Sequence, residues 1–160
     1  NQVNIKKEKI NIPDGMTKNP EAYCAEYETK IKDSGGIDIQ ILGIGSNGHI
    51  AFNEPGSSFN SRTRIVDLRG ETINDNSRFF QDISEVPKKA ITMGVGTILE
   101  ARKIILLASG VNKAEAVWKL INGPITERVP ATALKEHKDF IIIVDKEAAS
   151  LIRDKDSISE

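Results

Sequence analysis

The sequence predicts an α/β fold built on a parallel sheet. Residues 103–108 and 140–144 are apolar at nearly every position, and a helical pattern follows each of the two runs. Strands of this kind are typical of sheets buried on both faces, and strands that alternate with helices are typical of parallel sheets. With 160 residues, of which 39% are apolar, the chain has enough material for one domain, which we place at residues 1–160.

The first half of the chain predicts a helix, a strand and a glycine-rich loop. The helix begins at the capping residue Asn19, because Pro20 then occupies the first helical position, and it ends before the glycines at 35–36. Its apolar residues recur near a period of 3.6: Ala22, Tyr23, Tyr27 and Ile31. Residues 37–42 form a short, mostly apolar strand that leads directly into the loop 43–49, GIGSNGH.

The middle segment, residues 55–89, is polar and largely irregular, with a predicted strand at 63–68 and a short helix after Glu71. Residues 90–101 are more apolar. Within them, the stretch TMGVGT at 92–97 predicts a turn from strand into helix.

The second half alternates more regularly between strands and helices. The strand 103–108 is followed by a turn at 109–110 and a helix at 112–121, and the strand 140–144 is followed by a short helix at 146–152. The pattern of helix 112–121 places four residues on its buried side, with the tryptophan in the core: Ala114, Val117, Trp118 and Ile121.

Charge and cysteine content exclude several functional classes. The 22 basic and 23 acidic residues give a formal net charge of −1, which argues against a nucleic-acid partner. The longest aliphatic runs are far short of the roughly 20 residues that span a bilayer, so no membrane partner is expected. The single cysteine, Cys24, excludes an internal disulfide and a cysteine-based zinc cluster. We therefore expect a cytoplasmic protein without a metal site.

The glycine-rich loop invites a dinucleotide interpretation that its context argues against. Gly43, Gly45 and Gly48 match G-x-G-x-x-G after a predicted strand, and Asp67 lies at a suitable distance beyond them. That motif requires a helix that opens at its last glycine and directs its N-terminus at a pyrophosphate. Here the sequence reaches Pro-Gly at residues 55–56 after barely one turn. We therefore expect no dinucleotide at this loop.

Three polar residues in or just after this loop point to proton transfer. Asn47, His49 and Glu54 lie within eight residues of one another, beside glycines that allow the backbone to approach a ligand closely. An imidazole with a pKa of about 6.5 can accept and donate a proton near neutrality, and a carboxylate at its other nitrogen would fix its orientation. The alternative is that His49 only caps a turn and Glu54 is solvated.

Basic residues farther along the chain are candidates for binding a phosphate. Residues 109–113, SGVNK, follow a buried strand and open a helix, so their N–H groups and Lys113 could hold an anion together. Arg62, Arg64 and Arg78 offer planar donors suited to phosphate oxygens. An ordinary helix start with solvated cations explains the same pattern. His137 is interpreted as structural or exposed.

Residues 42–68, LGIGSNGHIAFNEPGSSFNSRTRIVDL, closely resemble glucosamine-6-phosphate deaminases. These enzymes convert glucosamine 6-phosphate and water into fructose 6-phosphate and ammonia. The resemblance continues in the same order through NSRFF at 76–80, VPKKAITMGVGTILEA at 86–101 and SGVNKAEAV at 109–117. The related 6-phosphogluconolactonases share the G-x-G-x-(D/N)-G-H loop but usually continue with a segment like ASLFP. The AFNEP at 51–55 therefore favours the deaminases.

The resemblance assigns a role to each candidate residue. It makes His49 the acid and base that opens the sugar ring, with Glu54 as its supporting carboxylate, and Asn47 stands where many members have Asp. It implies that Arg78 and Lys113 hold the phosphate of a phosphorylated amino sugar, beside the substrate-binding glycines of the loop 43–49. The resemblance also implies that the enzyme needs no cofactor, and the full-length enzyme is expected to be a homo-oligomer.

Two departures from the family pattern limit these expectations. Members activated by an effector use residues corresponding to Ser57, Arg64 and Val66, and a valine in place of their lysine argues against that allosteric regulation. The family's chains are also longer at the N-terminus, where they carry the aspartate that abstracts the C2 proton. The resemblance thus implies a Rossmann-like parallel sheet with flanking helices that lacks the N-terminal half of the family fold, and an isolated chain that is inactive.

Two other functions stay open. One is a sugar-phosphate hydrolase like the 6-phosphogluconolactonases. The other is a non-catalytic sugar-phosphate sensor, because some bacterial transcription regulators resemble this fold. Neither alternative explains the glutamate of AFNEP, Glu54, as well as the deaminase does.

Overall fold

The structure, a computed structural model, describes residues 4–153 and confirms the α/β class. Helices and strands follow in the order α1 (Pro20–Asp33), β1 (Ile39–Gly43), β2 (Arg64–Asp67), α2 (Gly70–Asn76), β3 (Lys89–Thr92), α3 (Val95–Leu99), β4 (Lys103–Ala108), α4 (Ala114–Asn122), β5 (Phe140–Val144) and α5 (Ser150–Arg153). Short 3-10 helices lie at Lys7–Lys9, Ser77–Phe79, Ile83–Glu85, Val111–Lys113 and Pro130–Glu136.

The predicted parallel sheet is confirmed and consists of β1, β4 and β5, with β4 in the middle. Leu106 pairs with Leu42 on one side and with Ile142 on the other, so these three residues lie side by side across the sheet. Strands β4 and β5 have the predicted bounds, whereas β1 begins two residues later than predicted, at Ile39. Because all three strands run in the same direction, the loops that leave their carboxyl ends meet at one edge of the sheet.

The expectation that these strands are buried on both faces is wrong for the described residues. The buried face joins the sheet to α3, α4 and the 3-10 helix Pro130–Glu136 through a core that includes Leu42, Ile104, Leu106, Ile98, Val117, Leu120 and Leu134. The opposite face exposes apolar side chains by 41 to 62%: Ile39, Ile41, Leu107, Ile141 and Ile143. The physical reason is that the described helices cover only one of the two faces.

Helix α1 begins and ends as predicted. The Asn19 side chain accepts a hydrogen bond from the N–H of Ala22 at 3.2 Å, and Pro20 is the first helical residue. At the other end the N–H of Gly36 reaches the carbonyl of Ile31 at 2.9 Å. With 14 residues α1 is the longest described helix, and none of the described helices has the length and apolar character needed to cross a membrane.

A carboxylate of α1, Glu28, ties the helix to the segment that leads into β2. Its oxygens accept hydrogen bonds from the N–H and hydroxyl of Thr63, the hydroxyl of Thr97 and the guanidinium of Arg62. Burial alone would raise the pKa of Glu28, but these hydrogen bonds outweigh it and hold the pKa below its ordinary value. Arg62, predicted as a possible phosphate ligand, instead pairs with Glu28 and Glu100.

Replacing Glu28 by Gln should lower the free energy of unfolding at pH 7 by about 1–3 kcal/mol, because hydrogen bonds to a charged group are lost. A carboxyl whose pKa is lowered by folding stabilises the protein above its unfolded pKa, and that contribution is lost as the pH falls through the folded pKa. Urea unfolding should therefore show a difference in free energy of unfolding between wild type and Glu28→Gln. That difference should narrow as the pH falls below 4.5, the ordinary pKa of the carboxyl. Glu26→Gln, at an exposed position of α1, is the matched control. A gap that stays constant with pH would contradict this.

Between β1 and β4 the chain forms a two-stranded antiparallel sheet. Strands β2 and β3 pair Arg64 with Thr92, as expected from the strands predicted near 63–68 and before 92–97. Helix α2 confirms the short helix predicted after Glu71, and α3 confirms the turn from strand into helix.

The prediction for the buried side of α4 is confirmed for Ala114 and Val117 and fails for the other two residues. Ala116, Val117 and Leu120 are buried, whereas Ile121 is 41% exposed and Trp118 is only half-buried, so the prediction of both as core residues is wrong. The physical reason is that a stripe through Ala116, Val117 and Leu120 faces the sheet, which leaves the next residue along the helix at its margin.

Candidate active site

The loop 43–49 turns back on itself directly after β1. The N–H of Gly48 donates to the carbonyl of Gly45, and the N–H of Gly45 donates to the carbonyl of His49, both at 2.9 Å. A Cβ atom on Gly45 would lie 2.3 Å from the Cε1 atom of His49. The imidazole therefore lies directly against the loop backbone, in space that only a glycine leaves free.

The structure brings Asn47, His49 and Glu54 together. The Nδ1 atom of His49 lies 3.7 Å from the Oε2 atom of Glu54, and the side-chain amide of Asn47 donates to the same oxygen at 2.9 Å. The Oδ1 atom of Asn47 accepts from the N–H of His49 at 3.1 Å. The carboxylate of Glu54 is thus directed at the imidazole. Because Glu54 is only 8% exposed, this carboxylate has little access to water. An aspartate at position 47 could not donate this hydrogen bond to Glu54.

The other oxygen of Glu54 has a partner that sequence analysis missed. The hydroxyl of Thr72, in the first turn of α2, donates to the Oε1 atom of Glu54. Thr72 is 2% exposed. A threonine in a short polar helix has no local feature that marks it as a partner of a loop carboxylate 18 residues earlier, so only the fold reveals the contact.

A cavity of about 560 Å³ opens beside His49 at the carboxyl edge of the parallel sheet. Its volume is in the range of about 300–1,000 Å³ that is common for small-molecule sites. Its wall combines loop glycines, proton-transfer candidates and cations: Gly43, Ile44, Gly45, His49, Ala51, Thr72, Asn76, Arg78, Ser109, Asn112 and Lys113. Glu54 and Asn47 are not part of this wall and support His49 from behind.

The two cations predicted to bind phosphate, Arg78 and Lys113, both line this cavity. The guanidinium carbon of Arg78 lies 4.8 Å from the ring centre of Phe79, which stacks beneath it. Of the three glycines predicted to bind substrate, Gly43 and Gly45 line the cavity and Gly48 does not. A Cβ atom at Gly48 would lie 2.6 Å from the Cγ1 atom of Val129. The cavity is thus suited to an anion close to an imidazole that can exchange protons.

The loop after β4 is held by Asp145 rather than left open for an anion. The hydroxyl of Ser109 and the N–H of Gly110 both donate to the Asp145 carboxylate, at 2.6 and 3.0 Å. The N–H of Ala148 donates to the same group at 2.7 Å and, with these partners, lowers the pKa of Asp145. Residues 146–149 therefore form a turn, and the helix predicted at 146–152 is wrong in its first half, since α5 begins at Ser150.

The residues corresponding to an effector site, Ser57 and Arg64, lie in a separate cavity of about 360 Å³ on the other side of Glu54. The guanidinium of Arg64 donates to the Oδ1 atom of Asn53 at 2.9 Å and to the Ser57 hydroxyl at 3.2 Å. Burial lowers the pKa of Arg64. Asn53 is fully buried and donates to the carbonyls of Ile50 and Met93, so Arg64 braces the turn that carries Glu54.

The remaining histidine, His137, has a structural environment. Its Nε2 atom lies 2.7 Å from the carbonyl of Ala101, and its Nδ1 atom accepts from the N–H of Asp139 at 3.2 Å. Cys24 is buried in α1, and burial raises the pKa of its thiol. Neither residue lines the cavity beside His49.

Comparison with known proteins gives consistent matches. A family model described as glucosamine-6-phosphate isomerases/6-phosphogluconolactonase matches residues 1–142. Two curated relatives are both called glucosamine-6-phosphate deaminase. The protein from Thermoanaerobacter sp. (strain X514) is 57% identical over 98% of this chain, and that from Clostridium botulinum (strain Kyoto / Type A2) is 58% identical over 94% of it. Both alignments cover 62% of the relative, so the chain spans about three fifths of these relatives' length.

Solved structures agree with this result. A structure described as a monomeric glucosamine-6-phosphate deaminase superimposes with a TM-score of 0.90 at 52% identity, over 91% of this chain and 61% of its own. The 6-phosphogluconolactonase from Trypanosoma cruzi superimposes with a TM-score of 0.61 at 28% identity, over 81% of this chain and 50% of its own. The first neighbour is described as monomeric, so the expected homo-oligomer gains no support from it.

Proposed function

Because the chain belongs to the family of glucosamine-6-phosphate isomerases and 6-phosphogluconolactonases, we propose that it carries the ring-opening and phosphate-binding part of a glucosamine-6-phosphate deaminase active site. The reaction combines isomerisation of the aldose to a ketose with loss of the amino group, and it yields fructose 6-phosphate and ammonia. One observation carries the proposal: an imidazole backed by a buried carboxylate lines the same cavity as Arg78 and Lys113.

In the proposed reaction His49 opens the sugar ring. The imidazole removes the proton of the anomeric hydroxyl and delivers a proton to the ring oxygen, so that the bond between C1 and that oxygen breaks and an aldehyde forms. Because Nδ1 of His49 faces Glu54, the other ring nitrogen is the one that exchanges protons with the sugar. Glu54 stabilises the transient imidazolium, and Arg78 and Lys113 hold the phosphate at the far end of the substrate.

Abstraction of the C2 proton requires a base that the described part of the cavity does not supply. Among residues 4–153, no aspartate or glutamate is part of the cavity wall, and Glu54 lies behind His49. This supports the proposal that the isolated chain does not complete the reaction. The apolar sheet face that exposes Ile41 and Ile143 supports the proposal that further polypeptide of the family fold packs there.

The deaminase is favoured over the lactonase by the degree of similarity. Identities of 52 to 58% to deaminases compare with 28% to the trypanosomal lactonase. Glu54 is also directed at His49, as a ring-opening pair requires.

The test compares the complete gene product with the 160-residue chain. The complete protein should release ammonia from glucosamine 6-phosphate and should not hydrolyse 6-phosphogluconolactone, whereas the isolated chain should bind inorganic phosphate without turnover. Hydrolysis of the lactone alone would contradict the deaminase. Turnover by the isolated chain at the rate of the complete protein would contradict the assignment of the base to other polypeptide.

A further inference from the structure

The two oxygens of the Glu54 carboxylate are held by donors from different parts of the chain. Oε2 accepts from Asn47, within the same loop region, and faces His49, whereas Oε1 accepts from the hydroxyl of Thr72 in α2. With Oε1 fixed, rotation of the carboxylate about its last torsion is restricted, and Oε2 stays directed at the imidazole. Thr72 and Glu54 are 2% and 8% exposed, so little water is available to replace the hydroxyl.

The same threonine anchors the residues that lead to the cation Arg78. We call residues 70–80, which comprise α2 and the 3-10 helix Ser77–Phe79, the anion segment. Among the side chains described in it, Thr72 is the only buried one, and Phe79 is 70% exposed. The carbonyl of Thr72 accepts a hydrogen bond from the side chain of Asn76 at 2.7 Å, which links the anchor to the next turn.

The cavity wall shows why this anchor matters for a ligand. Thr72, Asn76 and Arg78 all line the cavity on the side of the anion segment, and His49 lines it from the loop. The hydrogen bond between Thr72 and Glu54 is therefore a direct link between the segment that carries Arg78 and the carboxylate behind the imidazole. A second side-chain hydrogen bond near the start of the segment, from the guanidinium of Arg69 to the carbonyl of Pro55 at 2.7 Å, is exposed.

We propose that Thr72 is a positioning residue that couples binding of the substrate phosphate at Arg78 to the orientation of Glu54 against His49. This inference rests on the proposed function, since it assigns the phosphate to Arg78 and the ring opening to His49. A phosphate on Arg78 holds the anion segment in place, and the Thr72 hydroxyl then holds the carboxylate in the orientation that supports the imidazolium. Thr72 touches neither the sugar nor the phosphate in this scheme and acts through Glu54.

Removal of the hydroxyl with retention of shape tests the coupling. Thr72→Val in the complete gene product should lower kcat about 10- to 100-fold, the factor expected from the loss of one hydrogen bond to a charged group. In the 160-residue chain it should weaken binding of inorganic phosphate about 3-fold or more, although the substitution leaves both cations, Arg78 and Lys113, in place. Thr72→Ser, which keeps the donor, should restore most of both quantities. Thr72→Ala, which favours the helix, gives a second deletion of the hydroxyl should valine prevent folding.

A matched control separates this role from a structural one. Thr29→Val deletes a hydroxyl that donates to the carbonyl of Ala25 on the surface of α1, and it should change neither kcat nor phosphate binding. If Thr72→Val lowers the melting temperature but leaves kcat and phosphate affinity at their wild-type values, the coupling is wrong. The same holds if Thr72→Ser is as impaired as Thr72→Val.

The two readouts also separate this inference from the proposed function. If the wild-type complete protein does not deaminate glucosamine 6-phosphate, the proposed function fails, while weaker phosphate binding by Thr72→Val and its recovery in Thr72→Ser still support the link between Thr72 and Arg78. If deamination is confirmed but Thr72→Val has the wild-type kcat, the proposed function stands and the coupling fails.

Discussion

Replacing His49 by Gln in the complete gene product should lower the rate of ammonia release from glucosamine 6-phosphate by about 10²- to 10⁴-fold. Glutamine keeps hydrogen-bonding capacity but cannot exchange a proton near neutral pH, and general acid and base catalysis by a positioned side chain contributes a factor of this size. Since the imidazole acts on ring opening, the loss should fall on kcat. Binding of a reduced, open-chain amino-alditol 6-phosphate, which has no ring to open, should stay close to that of wild type.

The chain offers a natural control, because it contains only two histidines. His137→Gln removes an imidazole that contacts the carbonyl of Ala101 and the N–H of Asp139, outside the cavity beside His49. This variant should keep the deamination rate while losing some resistance to urea. A His49→Gln protein that retains a tenth or more of the wild-type kcat would show that another group opens the ring.

The parts of the structure that sequence predicted well depend on local signals. The start of α1 is fixed by Asn19 and Pro20, which act within one turn, and strands β4 and β5 follow unbroken apolar runs. The grouping of His49 and Glu54 was also predictable. Only the four residues 50–53 lie between them, so the chain cannot separate the two side chains widely. In each case the deciding contact lies close along the chain.

The parts that sequence missed depend on contacts between distant residues. Thr72 reaches Glu54 across 18 residues, and Glu28 reaches Thr97 across 69, and neither hydroxyl shows any periodicity that could mark it. Arg64 illustrates a subtler limit. From the sequence its guanidinium is a candidate anion ligand, but in the structure it donates hydrogen bonds to the side chains of Asn53 and Ser57.

The exposed sheet face shows a different limit. Apolar runs at β4 and β5 predicted burial on both faces, yet Leu107 is 45% exposed and Ile143 is 55% exposed. An apolar run indicates that burial stabilises its side chains, but it does not show which segment of polypeptide buries them. That further polypeptide of the family fold covers this face stays a proposal.

Replacing Gly45 by Ala should impair catalysis by about 10²-fold without unfolding the protein. The new Cβ atom would lie 2.3 Å from Cε1 and 2.4 Å from Nδ1 of His49, so the imidazole must move away from its position against the loop. A displacement of about 1 Å at a catalytic group is enough for a loss of this size. Because Gly45 is not among the residues with positive φ, alanine fits its backbone, and the clash falls on a side chain that can rotate.

The measurement pairs kcat with stability, since the two should separate. Gly45→Ala should lower the deamination rate of the complete protein while the free energy of unfolding of the 160-residue chain in urea falls by no more than about 1 kcal/mol, because a flexible ring can yield where backbone could not. Gly15→Ala is the matched control, as nothing lies within 4 Å of a Cβ atom there and the residue is not part of the cavity wall, and it should leave the rate unchanged. A Gly45→Ala protein with the wild-type kcat would mean that the imidazole does not act from its position against the loop. That result would contradict the ring-opening role proposed for His49.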